Sequence, residues 1–417
     1  MTYQEHLEEA RTLRFAGDYR QALRLLNNLQ VKAESNSRLE HIAYLNEKSE
    51  CLRCLGHYRK AIAQAQRALK SAKKSPSDPQ GQGNALNSLG CTYRQRGELD
   101  RAEKILIRSF AIGEKLNNPQ QIATSLINLG KLYRQRGELD RAEDCCQRVL
   151  ALKSRINSPH HIANCLNNLG EVYWLRGKLD FAKKYFQQSL ALREEIGNRQ
   201  EIAESRYQLI RIGLMSGSPA VAIGQIDQLA QIAQLSELAD IAVRFHLAAG
   251  QLKLQQGDLR DALTHGWQAR SQAEQIPHFG LTIEASKFLM EALLQLFLFG
   301  EQEEHLTWCA ALLQRLEELA KRERLYGIYA ESLLMQGLLK RATFDLQSAS
   351  EMFERAELLA AEQGLSIAAQ HARDELAKLR KQIIKLRQSQ RISPEVYEQL
   401  QVQEVLGYLQ QVRTAVG

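Results

Sequence analysis

The chain has 417 residues, 44% hydrophobic and 25% charged, which is enough apolar material for a sizeable core. Seven prolines and 6% aromatics argue against Pro-rich disorder and against an all-β sandwich. The 55 basic and 48 acidic residues leave a mild +7, so the placement of charge matters more than its sum.

The opening MTYQEHLEEARTLR has acidic residues and no apolar signal core, and no run reaches the ~18 apolar residues of a spanning helix, so a cytoplasmic protein is expected. Gly17 (GDYRQA) and Gly56 (GHYRKA) then begin a series of marked turns. It continues at Gly97, Gly137 and Gly177, forty residues apart, and at Gly217, Gly257 and Gly300. Seven of the eight are followed five residues later by alanine: Ala22, Ala61, Ala102, Ala142, Ala182, Ala222 and Ala262. His305 stands at the eighth position, and a ninth copy has Phe344 for the glycine and keeps Ala349. Internal repetition of this kind decides the architecture before any single motif does.

One unit can be read from its residues. Leu86, Leu89, Gly90 and Tyr93 recur at helical spacing before the glycine, and Leu99, Ala102, Leu106 and Phe110 after it. The spacing predicts two antiparallel amphipathic helices joined by a glycine turn, with Gly90 and Ala102 allowing close approach. Pro79, Pro119 and Pro159 follow Asp78, Asn118 and Ser158, an N-cap with proline opening the next helix. Neither helix buries its face alone, so the units must stack.

The string Leu89, Gly90, Tyr93, Gly97, Leu99, Asp100, Ala102, repeated in the next two copies, resembles the tetratricopeptide repeat family. The forty-residue spacing is similar to its long-repeat branch, found in kinesin light chains, LGN-type scaffolds and prokaryotic regulators. The resemblance covers residues 3–362 and is strongest over 84–197. It implies an all-α fold, a right-handed α-solenoid of about nine ~40-residue repeats, with first helices lining a concave groove. We expect a solenoid over 1–362 and C-terminal helices over 363–417.

The resemblance also implies a non-enzymatic scaffold binding a peptide or helix of a partner protein. Groove positions by this likeness include Asn84, Asn87 and Arg94 in the third copy and Asn128, Lys131 and Arg134 in the fourth. In the fifth they include Asn164, Asn167, Asn168 and Trp174. Asparagine can donate to and accept from a peptide backbone, and the basic residues would favour an acidic partner. The same asparagines could instead form an internal ladder tying neighbouring helices. Trp174 reads either as a ligand anchor or as packing near Arg211 and Leu214. Farther on, the same offsets give an apolar set: Leu254, Met290, Leu294, Phe297, Leu298, Leu334 and Met335. Either a partner helix or the C-terminus would cover such a surface, unless the register is displaced by a residue.

Beyond the repeats, Leu365, Ala369, Ala372, Leu376, Leu379, Ile383 and Leu386 form a heptad seam beside seven Lys/Arg over 365–391. It reads as a cap on the last repeat, a homodimer seam through 365–386, or a basic helix for nucleic acid or a membrane surface. A second apolar helix over 393–413 would cap the array or fold into the groove. A third functional reading is a sensor arm with its output on another chain.

No phosphate loop, HExxH or GxSxG occurs, so no catalysis is expected. Cys51 and Cys54 find no second pair to complete a zinc site, so no metal or cofactor is expected. Seven cysteines in such a chain read as small buried filler.

Overall fold

A computed structural model describes residues 2–29, 37–74, 78–156, 158–216, 219–236, 238–276, 279–298, 304–343 and 345–389. Among them the regular elements are helices only. In chain order they are α1 (Tyr3–Phe15), α2 (Tyr19–Asn28), α3 (Arg38–Cys54), α4 (Tyr58–Lys73), α5 (Pro79–Gln95), α6 (Leu99–Lys115), α7 (Pro119–Arg136) and α8 (Leu139–Ala151). Then follow α9 (Pro159–Leu175), α10 (Leu179–Ile196), α11 (Arg199–Met215), α12 (Pro219–Leu235), α13 (Ala239–Gln255) and α14 (Leu259–Gln275). The last are α15 (Phe279–Leu298), α16 (Glu304–Arg322), α17 (Tyr326–Ala342), α18 (Leu346–Glu362) and α19 (Ser366–Ser389). Successive helices pair as nine hairpins, and α19 follows the ninth: an all-α repeat solenoid.

The marker glycines behave as their position requires. Gly17, Gly56, Gly97, Gly137, Gly177 and Gly257 all have φ between 72° and 87°, the left-handed region that suits glycine. Gly217, Gly300 and Phe344 lie outside the described residues. The close helix approach is equally direct. A Cβ on Gly90 would stand 2.6 Å from the Leu106 side chain and 3.5 Å from the Ala102 carbonyl. The same crowding recurs at Gly170 against Phe186 and at Gly337 against Phe353. Asp78 and Asn118 cap α5 and α7 by accepting from the backbone N–H of Gly81 and Gln121, with proline at the first helical position.

The chain divides into two compact units. The first comprises Met1–Trp174, Lys178–Phe245 and Ser271–Thr282. The second comprises Leu175–Gly177, His246–Arg270 and Ile283–Gly417.

Within the first unit, the turn of the first repeat meets the start of α11. Asn198 Nδ2 donates to the Phe15 carbonyl at 3.0 Å, and the Phe15 ring stands edge-on to His160 at 5.6 Å. A Cβ on Gly17 would lie 3.1 Å from the Asn198 side-chain oxygen.

Within the second unit, Leu333, Leu334, Ala349, Phe353 and Ala356 form one core with Ala372, Leu376 and Leu379 of α19. The heptad seam from Leu365 to Leu379 is therefore buried against the chain's own last repeat, which is the capping arrangement. Ile383 is partly buried, and Ile384, beside it, is exposed. The Leu386 side chain and the segment 393–413 lie outside the described residues. No described helix is long and apolar enough to cross a membrane.

Candidate functional site

The first helices of the first unit are joined by side chains that step from one repeat to the next. Arg14 of α1 reaches Glu47 of α3 at 2.8 Å. Arg53 of α3 donates to Gln95 of α5 at 3.2 Å, and Ser88 of α5 donates to Glu50 of α3. Asn87 of α5 meets Ser125 of α7 at 3.3 Å, and Arg94 reaches Gln135 of α7 at 3.4 Å. Lys131 of α7 donates to Asn164 of α9 at 3.2 Å. Arg134 donates to Asn168 at 3.2 Å and pairs with Glu171. The predicted offsets thus select one continuous strip, because residues three, four and seven apart share a helix face.

Each predicted polar residue has a definite place on this strip. Asn87, Asn164, Asn167 and Asn168 are buried and bonded inside it. Asn164 accepts from Lys131 and Arg193, and Asn167 accepts from Arg193 and Ser205 while donating to Glu171. Asn168 accepts from Arg134 and donates to the Cys146 sulfur. These four have the partners of an internal ladder. Asn84 is exposed and Asn128 half-buried, and neither makes a side-chain hydrogen bond among the described residues.

Trp174 is half-buried. The Arg211 guanidinium lies 3.9 Å from its ring centre, and its Nε1 donates to the Met215 sulfur at 3.3 Å. Met215 is 47% exposed, so the stack has one open edge.

Offsets counted on first helices missed the centre of the network. Arg193 comes from the second helix α10 and is fully buried. It donates to the Glu201 carbonyl and the Ser205 hydroxyl at 2.8 Å and pairs with Glu204 at 3.0 Å. One signal existed: the matching position of the third copy is Gly113, whose Cβ would stand 3.1 Å from the Ile122 nitrogen. A position tight enough for glycine carries arginine two copies later, so the fifth hairpin must make room for a guanidinium. Glu204 stands at the first groove offset of the sixth copy, and the same counting reaches it.

The charges on the strip are mutually adjusted. Burial opposes ionisation of Glu50, but the Arg53 guanidinium overrides it and brings the carboxyl down to about 2. Glu204 behaves alike beside Arg193 and Lys131, and also falls to about 2. Burial lowers Arg94 and Lys131, each with neighbouring cations adding to the effect. Burial raises the thiols of Cys54 and Cys91, which disfavours the thiolate form of each.

The apolar set is corrected by the structure. Leu254, Met290, Leu294 and Leu334 are buried in the free chain, so they do not form an exposed apolar groove. Leu334 belongs to the core shared with α18 and α19. The same offsets are buried in the regular third copy too, at Asn87, Cys91 and Arg94, so these positions lie inside the stack without any slip of register. Met335 is half-buried, and the side chains of Phe297 and Leu298 lie outside the described residues. On α19, Lys378 pairs with Glu375, and Arg373 and Arg380 lie within 4 Å of Glu357 and Glu354, so part of its basic charge is offset locally. Among the described residues no group of three or more His, Cys, Asp or Glu could hold a metal ion. All seven cysteines are free thiols, and Cys54 alone is not fully buried.

A family model described as the MalT-like TPR region matches residues 51–364. No curated protein matches the chain in sequence. Among solved structures, NprR in complex with its cognate peptide NprX superposes with a TM-score of 0.55 at 16% identity, covering 76% of this chain and 88% of that one. A Rap protein complexed with Competence and Sporulation Factor gives 0.53 at 15%, covering 83% and 99%. Aspartyl phosphate phosphatase F from Bacillus subtilis gives 0.51 at 14%, covering 87% and 95%. At these identities the likeness is one of fold.

Proposed function

We propose, from the premise that this chain belongs to the MalT-like TPR family, that it is a non-enzymatic interaction scaffold. The first helices of its first unit hold a peptide or helix of a partner protein. The observation that carries this reading is the division of labour among the asparagines. Four are spent on the internal ladder, and Asn84 and Asn128 keep their amides unbonded on the same strip. An unspent amide can pair with both groups of a passing peptide unit. Trp174, braced by Arg211 and open toward Met215, supplies an apolar contact beside them. The NprR and Rap structures of similar fold hold a cognate peptide and a sporulation factor, which is consistent with the same use here. In this reading residues 1–362 form the array, residues 363–417 close its end, and an acidic partner suits the strip's basic residues.

A phage-displayed peptide library selected on the full chain tests the reading. Selected peptides should lose binding to an Asn84→Ala/Asn128→Ala double variant. Neither amide bonds to the fold, so the variant should melt like the parent. Binding that survives both substitutions would remove the assignment of this strip.

A further inference from the structure

In the third and fourth repeats the second helices α6 and α8 satisfy one face with their own charges. The Arg101 guanidinium lies 4.6 Å from the Tyr93 ring centre, and that of Arg141 lies 3.7 Å from the Tyr133 ring centre. Arg141 also pairs with Glu138 and reaches Glu103, one repeat back, at 3.2 Å. The fifth repeat reverses this pattern at the matching positions of α10. Forty residues on, Glu138 becomes Lys178, Arg141 becomes Phe181, and Glu143 and Asp144 become Lys183 and Lys184. Lys178 and Lys184 stand three residues on either side of Phe181, so the three share a helix face.

The Phe181 ring stacks on Tyr173 with centres 5.5 Å apart, and Tyr173 stacks on Tyr185 at 5.4 Å. Phe181 is nonetheless 54% exposed. Lys178, Lys183 and Lys184 are exposed and, among the described residues, form no ion pair. Glu143, which stands on α8 as Glu103 stands on α6, accepts from the Tyr173 hydroxyl at 2.8 Å. Asp180 is the one acidic residue beside the lysines, and it lies off the face of Phe181. The ring stack accounts for one side of Phe181. Its exposed part and the flanking ammonium groups are not used by the fold.

We propose that this face of α10 is a docking surface for an acidic helical segment of a partner protein, with an apolar side chain seated on Phe181 and carboxylates on Lys178 and Lys184. The surface lies on a second helix, apart from the first-helix strip, and does not rest on the groove reading. Charge complementarity selects the partner, and an aromatic residue among such charges supplies the anchor. Lys178 and Lys184 are separated by about 9 Å along the helix. Residues seven apart on a partner helix span about 10 Å, so an acid-x-x-apolar-x-x-x-acid pattern matches. Single-stranded nucleic acid fits less well. It needs successive open rings, whereas Tyr173 and Tyr185 are half-buried, and its next phosphates would meet the exposed Asp140 and Asp144 of α8.

The test uses the full chain and labelled Ala/Gln helical peptides read by fluorescence polarisation. One carries Glu-x-x-Leu-x-x-x-Glu, the second has Gln for both Glu, and the third has Ala for Leu. The first should bind about tenfold more tightly than either of the others. Lys178→Glu/Phe181→Arg/Lys184→Asp installs the residues of the fourth repeat, and should bring the first peptide to the level of the second. Should that variant melt lower than the parent, Lys178→Glu/Lys184→Asp, at exposed positions only, should give the same loss. Binding of the first peptide should be unchanged in Asn84→Ala/Asn128→Ala. Loss of binding there, with binding kept in the lysine variants, would place the peptide on the strip and overturn the α10 surface while leaving the groove reading intact. Equal binding of all three peptides, or none to the parent chain, would also overturn it. So would a labelled fifteen-residue oligothymidine that binds more tightly than the first peptide and is released by the lysine substitutions.

Discussion

Arg193 shows how much a single buried charge can organise. Its guanidinium ties α9, α10 and α11 together through Asn164, Asn167, Ser205 and Glu204. Arg193→Met should cost about 3–5 kcal/mol, because Glu204 would lose its ion-pair partner and Asn164, Asn167 and Ser205 the donor they share. Chemical denaturation read by circular dichroism would measure it, and a loss under about 1 kcal/mol would show that the network is slack. Acid should act on the same region. The carboxyls of Glu50 and Glu204 sit below the ordinary carboxylate range, so their stabilisation is complete above that range and is lost as pH falls toward about 2. Burial, with His160 beside it, brings the His161 imidazole down to about 4. Its neutral form is the one the fold holds, so that stability is complete above the ordinary imidazole range and is lost toward about pH 4. Melting midpoints followed from about pH 7 to about pH 2 should therefore fall in two stages. His161→Gln should flatten the upper stage and Glu50→Gln the lower.

At the scale of the helix pair, the small residues set the spacing. Gly90→Ala would force its Cβ into the Leu106 side chain and should cost about 1–3 kcal/mol by overpacking. Gly257 faces open space but has φ 78°, so the cost there is one of backbone and not of contact. Gly257→Asn should accordingly be milder than Gly257→Ala, since asparagine visits that region more readily. A pair of denaturation curves decides it, and equal losses would refute the distinction. The terminal helix α19 follows the same logic of burial. Leu379 is fully enclosed by the last repeat, and Leu379→Ala should cost about 2–5 kcal/mol, whereas Ile384→Ser on the exposed side should be close to neutral. A dimer built on this seam would reverse the ranking, with Ile384→Ser changing the sedimentation of the chain.

Across the first unit, a contact between residues 183 positions apart joins the first repeat to the start of α11. In a stack of repeats, stability comes mostly from nearest neighbours, so a contact of this span adds a constraint that neighbour packing does not supply. Asn198→Ala removes the amide that meets the Phe15 carbonyl and also the cap of α11, whose side chain accepts from the Glu201 N–H. Loss of about 1–2 kcal/mol is expected. Hydrogen exchange should quicken in α1 and α2 as well as in α11. Exchange confined to α11 would mean that the cap matters and the long-range contact does not.

The repeat, its period, the glycine turns, the proline-opened helices and the small residues at the crossing were all legible in the residue order. They are local requirements: a left-handed backbone angle, a missing N–H, a Cβ that would not fit. The strip of Asn87, Arg94, Lys131, Arg134, Asn164 and Asn168 was legible too, because helical periodicity carries a face from one copy to the next. Which asparagines were spent and which stayed free was not. That depends on partners about one repeat away, such as Ser125 for Asn87 and Arg193 for Asn167, and on the absence of one for Asn128. The apolar positions Leu254, Met290, Leu294 and Leu334 were read as an open surface and are buried, as Asn87, Cys91 and Arg94 are at the same offsets, because the offsets mark a helix face and not whether a neighbouring helix covers it. The heptad seam of α19 fitted a partner chain and its own last repeat equally well by sequence. Only the packing of Leu376 and Leu379 against α17 and α18 chose between them, since apolar periodicity records that a face must be covered and leaves open what covers it.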